Sequence, residues 1–396
     1  MEKSTKLLKA EFATSILLFA GIFTFYFIFI YHVIPQIVIS EYESVLQACC
    51  SFCIAIGILL FSHLKNTFTK KYLAFFTSLT ISTLLIMLFV PILIVTVICI
   101  SLIGIFFGIT ILLAYMHFAS TTKSETRGRS GGIIWLIALP LYFVVSNLVS
   151  ANLNFEMNLV LCIILSLSAL LASVFIKDKH LPAMDLKESS YYPEKRTIFF
   201  YAIPWIVYSL INATLAVNIA DNTVQSFSSS FYTYLIIAQT TAALVGAVGG
   251  GFLADRWGRK TVLILGISLY GVSIALRGFA NIDGAFAFAY VGEGLSSGIF
   301  LTLYSFVIWS DLGNKINYGR VFAVGTMTFY LSVAIGRLGI FSGIPLVTSA
   351  LISVILIFLS NVPLALAPEL LPAESQEKKK LKKYMNTVKK IADNQE

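Results

Sequence analysis

Apolar stretches about 20 residues long recur from one end of the chain to the other, and charged residues fall almost entirely between them. Backbone placed in hydrocarbon must satisfy its own N–H and C=O groups, so runs of this length fold as helices. They cover roughly 12–34, 43–62, 72–89, 92–116, 131–152, 157–176, 197–219, 229–253, 261–280, 284–309, 320–340 and 345–367. Twelve spans are expected, with only Val90-Pro91 marking the turn between the third and fourth. Hydrophobic residues make up 58% of the chain and charged residues 12%, about half the charged share of a soluble domain. The expected class is an all-α membrane protein.

The charges orient it. If both termini lie on the inner side, the inner segments hold 26 of the 28 Lys and Arg residues and the outer ones hold none. The outer segments carry Glu41, Glu43, Glu156, Asp221 and Asp283 instead. This is a positive-inside pattern, which predicts a multi-pass protein of the plasma membrane with cytoplasmic termini. The net charge of +8 then reflects orientation and attraction to anionic lipid, not a nucleic-acid footprint. The first apolar run is too long for a cleaved signal peptide. Cys49, Cys50, Cys53, Cys99 and Cys162 all fall in spans of the first half, where they read as small packing residues rather than a metal site.

The chain divides at its longest polar interior stretch. The expected units are a six-helix bundle over 1–176, a central loop over 177–196, a second six-helix bundle over 197–372 and a basic tail over 373–396. Leu381, Tyr384, Met385, Val388 and Ile391 share one helical face of that tail, which reads as a surface-lying amphipathic helix or a solvated tail. The halves echo one another. Leu64, Phe68, Lys70 and Lys71 fall 189 positions before Leu253, Trp257, Arg259 and Lys260. Gly104 and Gly108 precede Gly294 and Gly298 by 190, and Gly128-Arg129 precedes Gly319-Arg320 by 191. Glycines so spaced let helix backbones approach closely in lipid. Pro140, Pro204 and Pro363 fall in or near spans, where proline can kink a helix.

The segment Gly251–Lys260, GFLADRWGRK, packs an acid and three bases into a tight turn between spans 8 and 9. Its pattern at Gly251, Leu253, Asp255, Arg256, Gly258, Arg259 and Lys260 resembles the charged loop of the major facilitator superfamily of secondary transporters. The resemblance implies twelve transmembrane helices in two pseudo-symmetric six-helix bundles related about the membrane normal. It also implies that Asp255 latches onto the opposite half while the inner side is closed. Carried onto this chain, Asp255 faces the helix start near Ser130-Gly131-Gly132, with Arg127 or Arg129 close by, and Arg259 pairs with Asp311. A carboxylate there meets unpaired N–H groups and the positive end of a helix dipole. In the first half Asn66 stands where Asp255 stands in the second, so the counterpart latch near Arg320 is expected to be weaker.

Glu293 lies about ten residues into span 10, about 15 Å from its outer end at the α-helical rise. An ionised group at that depth must be paired, hydrated or protonated. Under the resemblance, spans 1, 4, 7 and 10 line a central cavity, which makes Glu293 a candidate for proton coupling or substrate contact. The bland alternative is a buried ion pair. Arg337 in span 11 is the expected partner or an anion-binding group, and Arg277 in span 9 is expected to snorkel to the surface. Further candidates on spans at the cavity are Tyr26, Asn147, Tyr208, Asn212, Gln239, Tyr304 and Tyr330, with His32 interfacial, and Tyr115, Asn218 and Ser297 also on those spans.

No nucleophile–base pair, metal cluster or phosphate-binding loop is visible, so neither an enzyme nor a cofactor or metal is expected. The expected partners are a small-molecule substrate, protons and the bilayer, with a monomeric chain. The favoured function is a secondary active transporter moving a metabolite, sugar or organic acid by alternating access, coupled to protons. Pro368-Glu369 resembles part of the P-E-T motif of sugar and metabolite porters, although span 7 lacks their paired glutamines. A proton-coupled multidrug exporter is the alternative. A non-transporting membrane sensor or scaffold on the same fold is the third reading.

Overall fold

The computed structural model describes residues 2–37, 40–64, 70–146, 152–176, 195–215, 229–279, 283–314, 317–340, 343–371 and 385, with only the helical backbone described for 2–11. Twelve long helices account for nearly all of them, and no strand occurs among the described residues. In chain order they are α1 Glu2–Ile28, α2 Ser40–Leu64, α3 Lys70–Phe89, α4 Leu93–Thr121, α5 Arg127–Val144 and α6 Phe155–Phe175. The second six are α7 Lys195–Ala213, α8 Ser229–Trp257, α9 Arg259–Phe279, α10 Asp283–Thr302, α11 Tyr318–Arg337 and α12 Leu346–Leu366. Helix α1 runs on through a π turn at Phe29–Val33, and α10 through one at Leu303–Val307 into a last helical turn, Ile308–Leu312.

Each expected apolar run coincides with one helix. Ten of the helices are long and apolar enough to cross a bilayer; α5 and α7, which open on Arg127 and on Lys195-Arg196, are the other two. The loops α4–α5, α8–α9 and α10–α11 lie on one side, here called the basic face. Helix α5 starts at Arg127, four residues before the apolar run, so two arginines belong to its first turn. Within the spans, hydroxyls return to their own helix: Thr77, Thr83 and Ser353 donate to the carbonyls of Leu73, Leu79 and Ser349 at 2.7, 2.8 and 2.7 Å. These buried hydroxyls are thereby satisfied without a partner on another helix. The central loop 177–194 and the tail calculated as amphipathic, apart from residue 385, lie outside the described residues.

Packing repeats with a shift of six helices. In the first half α1 packs on α5 and α6, α2 on α4, and α3 on α4 and α6. In the second half α7 packs on α11 and α12, α8 on α10, and α9 on α10 and α12. The halves meet along α2–α11 and α5–α8, which exchange under the same shift.

Glycines make the two equivalent seams. Gly57, Gly104 and Gly108 bring α2 and α4 into backbone contact, and Gly246, Gly294 and Gly298 do the same for α8 and α10. A Cβ at Gly298 would collide with the Ala243 carbonyl and the Ala247 nitrogen, neither of which can move without unwinding α8. At Gly249 nothing lies within 4 Å of the corresponding position. Gly298→Ala should therefore destabilise by about 1–3 kcal/mol through overpacking. Gly249→Ala should be neutral or stabilise by about 0.5–1 kcal/mol through helix propensity. Thermal unfolding of the two purified variants, followed by size-exclusion chromatography, checks the opposite signs.

Candidate functional site

The charged loop folds into a seal on the basic face. Helix α8 ends at Trp257 and α9 begins at Arg259, so Gly258 alone makes the turn, with φ at +113°. Gly251 on α8 and Gly128 on α5 touch through their backbones, which sets the helices close enough for a short side chain to cross. Asp255 crosses there. The N–H groups of Gly128 and Arg129 donate to its two carboxylate oxygens at 2.9 and 2.8 Å. These are donors of the first turn of α5, which has no side-chain cap of its own. Arg129 Nε adds an ion pair at 3.5 Å.

Arg259 ties this latch to a second acid. It is fully buried, donates to Asp255 at 2.7 Å and to Asp311 at 3.0 Å, and also reaches the Ser124 carbonyl. Asp311 in turn accepts from Arg127 and from the Ser124 hydroxyl, the latter at 2.7 Å. Arg127 is held by the carbonyls of Ala119 and Thr122, both at 3.1 Å. The expected meetings of Asp255 with the start of α5 and of Arg259 with Asp311 are thus present. The contact point on α5 is Gly128-Arg129 rather than 130–132, because the helix begins earlier than the apolar run. Arg256 is exposed at the end of α8. Lys260 donates to the carbonyls of Ala365 and Ala367 at the end of α12, at 2.5 and 2.9 Å. Asn66 lies outside the described residues, as do Asn147 and Asn218.

Two residues at the seal had no assigned role in the sequence. Glu369 accepts from the N–H groups of Arg259 and Lys260 at 2.7 and 3.1 Å, so it caps α9 and fixes the tight turn. Its signal was the Pro368-Glu369 pair, read above only as a substrate-class motif. Phe306, on the π turn of α10, inserts into the first half against Phe19 and Phe118, with ring centroids 4.8 and 4.7 Å away. A π turn adds a residue to the helix and so re-aims the side chains around it, a feature frequent at functional sites. Nothing in the apolar run around Phe306 distinguishes it.

Above this layer the two halves line a small cavity of about 50 Å³. Phe23, Tyr26 and Phe27 of α1, Tyr115 of α4 and Trp135 of α5 line it from the first half. Trp205 of α7, Tyr304 and Ser305 of α10, and Thr326, Phe329 and Tyr330 of α11 line it from the second. Tyr115 and Tyr304 stand 189 positions apart, at the offset of the repeat. Across the junction Tyr26 meets Tyr330 edge to face at 5.4 Å. Of the candidates, Tyr26, Tyr304 and Tyr330 therefore line the cavity. Tyr208 lies behind the wall, 3.3 Å from the Ser297 hydroxyl, and Asn212 accepts from Tyr270 at 3.3 Å. Gln239 is half-buried on α8 beside Gly294 and is not part of the lining. His32 Nε2 is 2.7 Å from the Ser146 hydroxyl near the face opposite the seal.

No protein-family model matches the chain, and no curated protein sequence does. Its architecture is nonetheless shared with solved transporters. The human organic anion transporter MFSD10 superposes on 90% of this chain and 99% of its own, with a TM-score of 0.71 at 11% identity. A bacterial homologue of the iron transporter ferroportin, in an outward-facing state, covers 90% and 98% with a TM-score of 0.70 at 15% identity. The major facilitator superfamily transporter FucP of E. coli, in the outward conformation, covers 90% and 98% with a TM-score of 0.68 at 10% identity. The chain has the major facilitator superfamily fold.

Within this fold Glu293 does not meet the partner expected of it. It is buried on α10 and ion-paired with Arg277 of α9, which is also buried and lies 4.6 Å over the Tyr290 ring. Arg277 therefore does not snorkel, and Arg337 is not the partner of Glu293. The reason is depth along the helix: α10 packs on α9, and Glu293 lies on that seam nearer the start of α10, whereas the lining residues Leu301, Tyr304 and Ser305 come later, beside and within the π turn. Arg337 lies at the end of α11, 5.2 Å over the ring of Tyr31, and joins the halves on the face opposite the seal.

Two outcomes follow from these geometries. Asp255→Asn removes one of the two ionic partners of Arg259 and one acceptor from α5, which should cost the sealed state about 3 kcal/mol. Spin labels at Ser120 and Trp257, both exposed at the basic ends of α4 and α8, should then show a longer-distance population absent from the parent protein. These labels require prior replacement of the native cysteines. Separately, Glu293→Gln leaves Arg277 charged and unpaired, and should lower stability by about 3–5 kcal/mol. The double change Arg277→Met with Glu293→Leu should restore most of that loss in a thermal-unfolding measurement, because it removes both charges together.

Proposed function

We propose that this chain is an alternating-access carrier for a small organic solute. The observation behind this reading is the pairing of a cavity at the junction of two pseudo-symmetric halves with a seal on one side, built by both halves. Asp255, Arg259 and Asp311 come from the second half; Arg127, the α5 N–H groups and Ser124 come from the first. The bonds that cross between the halves, from the α5 N–H groups to Asp255, from Arg127 and Ser124 to Asp311 and from Arg259 to the Ser124 carbonyl, can break when the halves rock apart, because the charged groups then face water. Junction cavities near the bilayer midplane are where carriers of this architecture hold their solutes.

The positive-inside rule makes the basic face cytoplasmic, so the protein is closed to the cytoplasm, and a location in the plasma membrane is the matching proposal. The similar structures are named as transporters of an organic anion and of iron and as a fucose:proton symporter. That spread assigns no solute here, so the solute must be read from this cavity. Coupling to protons was expected through Glu293, the one acid deep within a span. Its ion pair with Arg277, behind the cavity wall, supports a structural role and a solute step that does not pass a proton through it. The sensor or scaffold reading finds no comparable support, since a static protein gains nothing from a seal made of separable charges.

The test uses the purified protein in liposomes, with solute uptake and internal pH recorded together. Uptake should be saturable and should fall at least about tenfold in a variant whose seal is cross-linked between α5 and α8, a loss of about 1.4 kcal/mol in rate terms or more. The Arg277→Met, Glu293→Leu protein should keep its uptake and show the same internal pH trace as the parent. Loss of a solute-dependent pH change in that double variant would return Glu293 to the coupling role.

A further inference from the structure

Nine of the thirteen residues lining the central cavity are aromatic, and none is Asp, Glu, Lys, Arg or His. An ion entering such a site, away from water, costs several kcal/mol unless the protein supplies a counter-charge. Arg277 is paired with Glu293, and Arg337, over the Tyr31 ring, is not among the lining residues. An organic anion therefore finds no base on the walls. A metal ion finds no carboxylate, imidazole or thiolate on the walls, and no group of metal-ligating side chains occurs among the described residues. A cation could bind open ring faces. Such contacts are worth about 2 kcal/mol, less than the cost of dehydrating an ion where no acid lies on the walls. Phe23 stacks on Trp135 at 4.3 Å and Trp205 on Tyr304 at 4.5 Å.

The polar atoms of the walls narrow the class further. A solute rich in hydroxyls needs a partner for each of them. Trp205 Nε1 already donates to the Gly325 carbonyl at 2.7 Å, and the Tyr304 hydroxyl to the Tyr201 carbonyl at 3.2 Å. Trp135 Nε1 is a buried donor bonded to no described group. The Tyr26 hydroxyl lies beside Ser51 and the Tyr115 hydroxyl beside Ser305. The walls thus offer large ring surfaces, one stacked pair from each half, and a few polar atoms, chiefly Trp135 Nε1 and the hydroxyls of Thr326 and Tyr330.

We infer that the central cavity binds an uncharged, ring-bearing solute with at most a few polar atoms, neither an ion nor a sugar. Its transport rests on the carrier reading above; its binding does not. Two of the four tryptophans, Trp135 and Trp205, are in the walls, while Trp257 is exposed on the basic face and Trp309 is buried beneath the cavity. Tryptophan emission therefore reports occupancy directly.

The experiment titrates the protein in lipid nanodiscs with three quenchers of one shape: para-nitrobenzyl alcohol, para-nitrobenzoate and para-nitrobenzylammonium, near neutral pH. The alcohol should quench saturably, with an apparent affinity at least about tenfold above either ion. Trp135→Phe and Trp205→Phe should each remove part of the saturable signal and their combination all of it, and excess glucose should not compete. Thr326→Asp, which places an acid in the wall, should raise the affinity for the ammonium compound about tenfold and serves as an independent check where the tryptophan variants fold poorly. Equal or tighter binding of an ion, competition by glucose, or saturable quenching that survives in the double tryptophan variant would overturn the proposal. So would the absence of saturable quenching by all three. Neutral-selective binding in a protein whose Ser120–Trp257 distance never lengthens under any condition would instead sink the carrier reading and leave the site.

Discussion

The two halves are held in this arrangement by one carboxylate placed on the start of a helix. Asp255 accepts two N–H groups from the first turn of α5 and at the same time neutralises Arg259, which is fully buried. Arg259 could not occupy that position without both Asp255 and Asp311, and Asp311 could not accept Arg127 without the approach that Asp255 secures. The close contact of Gly128 with Gly251 is the geometric precondition: a side chain at either would push α5 and α8 apart and draw the carboxylate out of reach. Glu369 fixes the other end of the loop by capping α9, so the turn at Gly258 presents Asp255 and Arg259 at a defined spacing. The seal is therefore one connected network rather than a set of surface ion pairs, and removing Asp255 leaves the buried Arg127 and Arg259 to share Asp311.

Much of the fold was legible in the sequence because the bilayer leaves few choices. Length and hydropathy gave twelve helices, and lysines and arginines gave their alternation. The repeat offset near 190 gave the equivalence of halves, down to the glycines of the two seams. The charged loop gave the latch, since its acid has a role only at a helix start. What escaped was whatever depends on how the helices pack and where they end. Glu293 was placed toward the cavity on its span number, yet its position on α10 puts it on the seam with α9 and within reach of Arg277. Phe306 owes its place to a π turn that no apolar run announces. Glu369 was visible only as half of a short motif, and its role as a cap depends on where α12 ends relative to α9.

The two layers of the site divide the labour by their chemistry. On the carrier reading, charge in the seal is tolerated because the groups that would separate on opening meet water on the basic face, so only part of their mutual attraction is lost. An apolar seal of the same area would expose hydrocarbon instead, and the open state would be correspondingly costly. Phe306 and its ring partners lie between seal and cavity, where they keep water from the ion pairs' upper side and so preserve the low dielectric that makes those pairs strong.

In the cavity the opposite holds. A fixed charge on its walls would have to be accommodated in both the sealed and the open protein, and at the bilayer midplane it would need a solute of opposite sign to be neutral. Aromatic walls carry no such debt, because the rings of each half satisfy one another when no solute is present: Phe23 with Trp135, Trp205 with Tyr304, and Tyr26 with Tyr330 across the junction. An entering ring replaces contacts of the same kind with contacts of the same kind. On the carrier reading, the barrier to moving between states then stays in the seal, where water can lower it, and not at the solute.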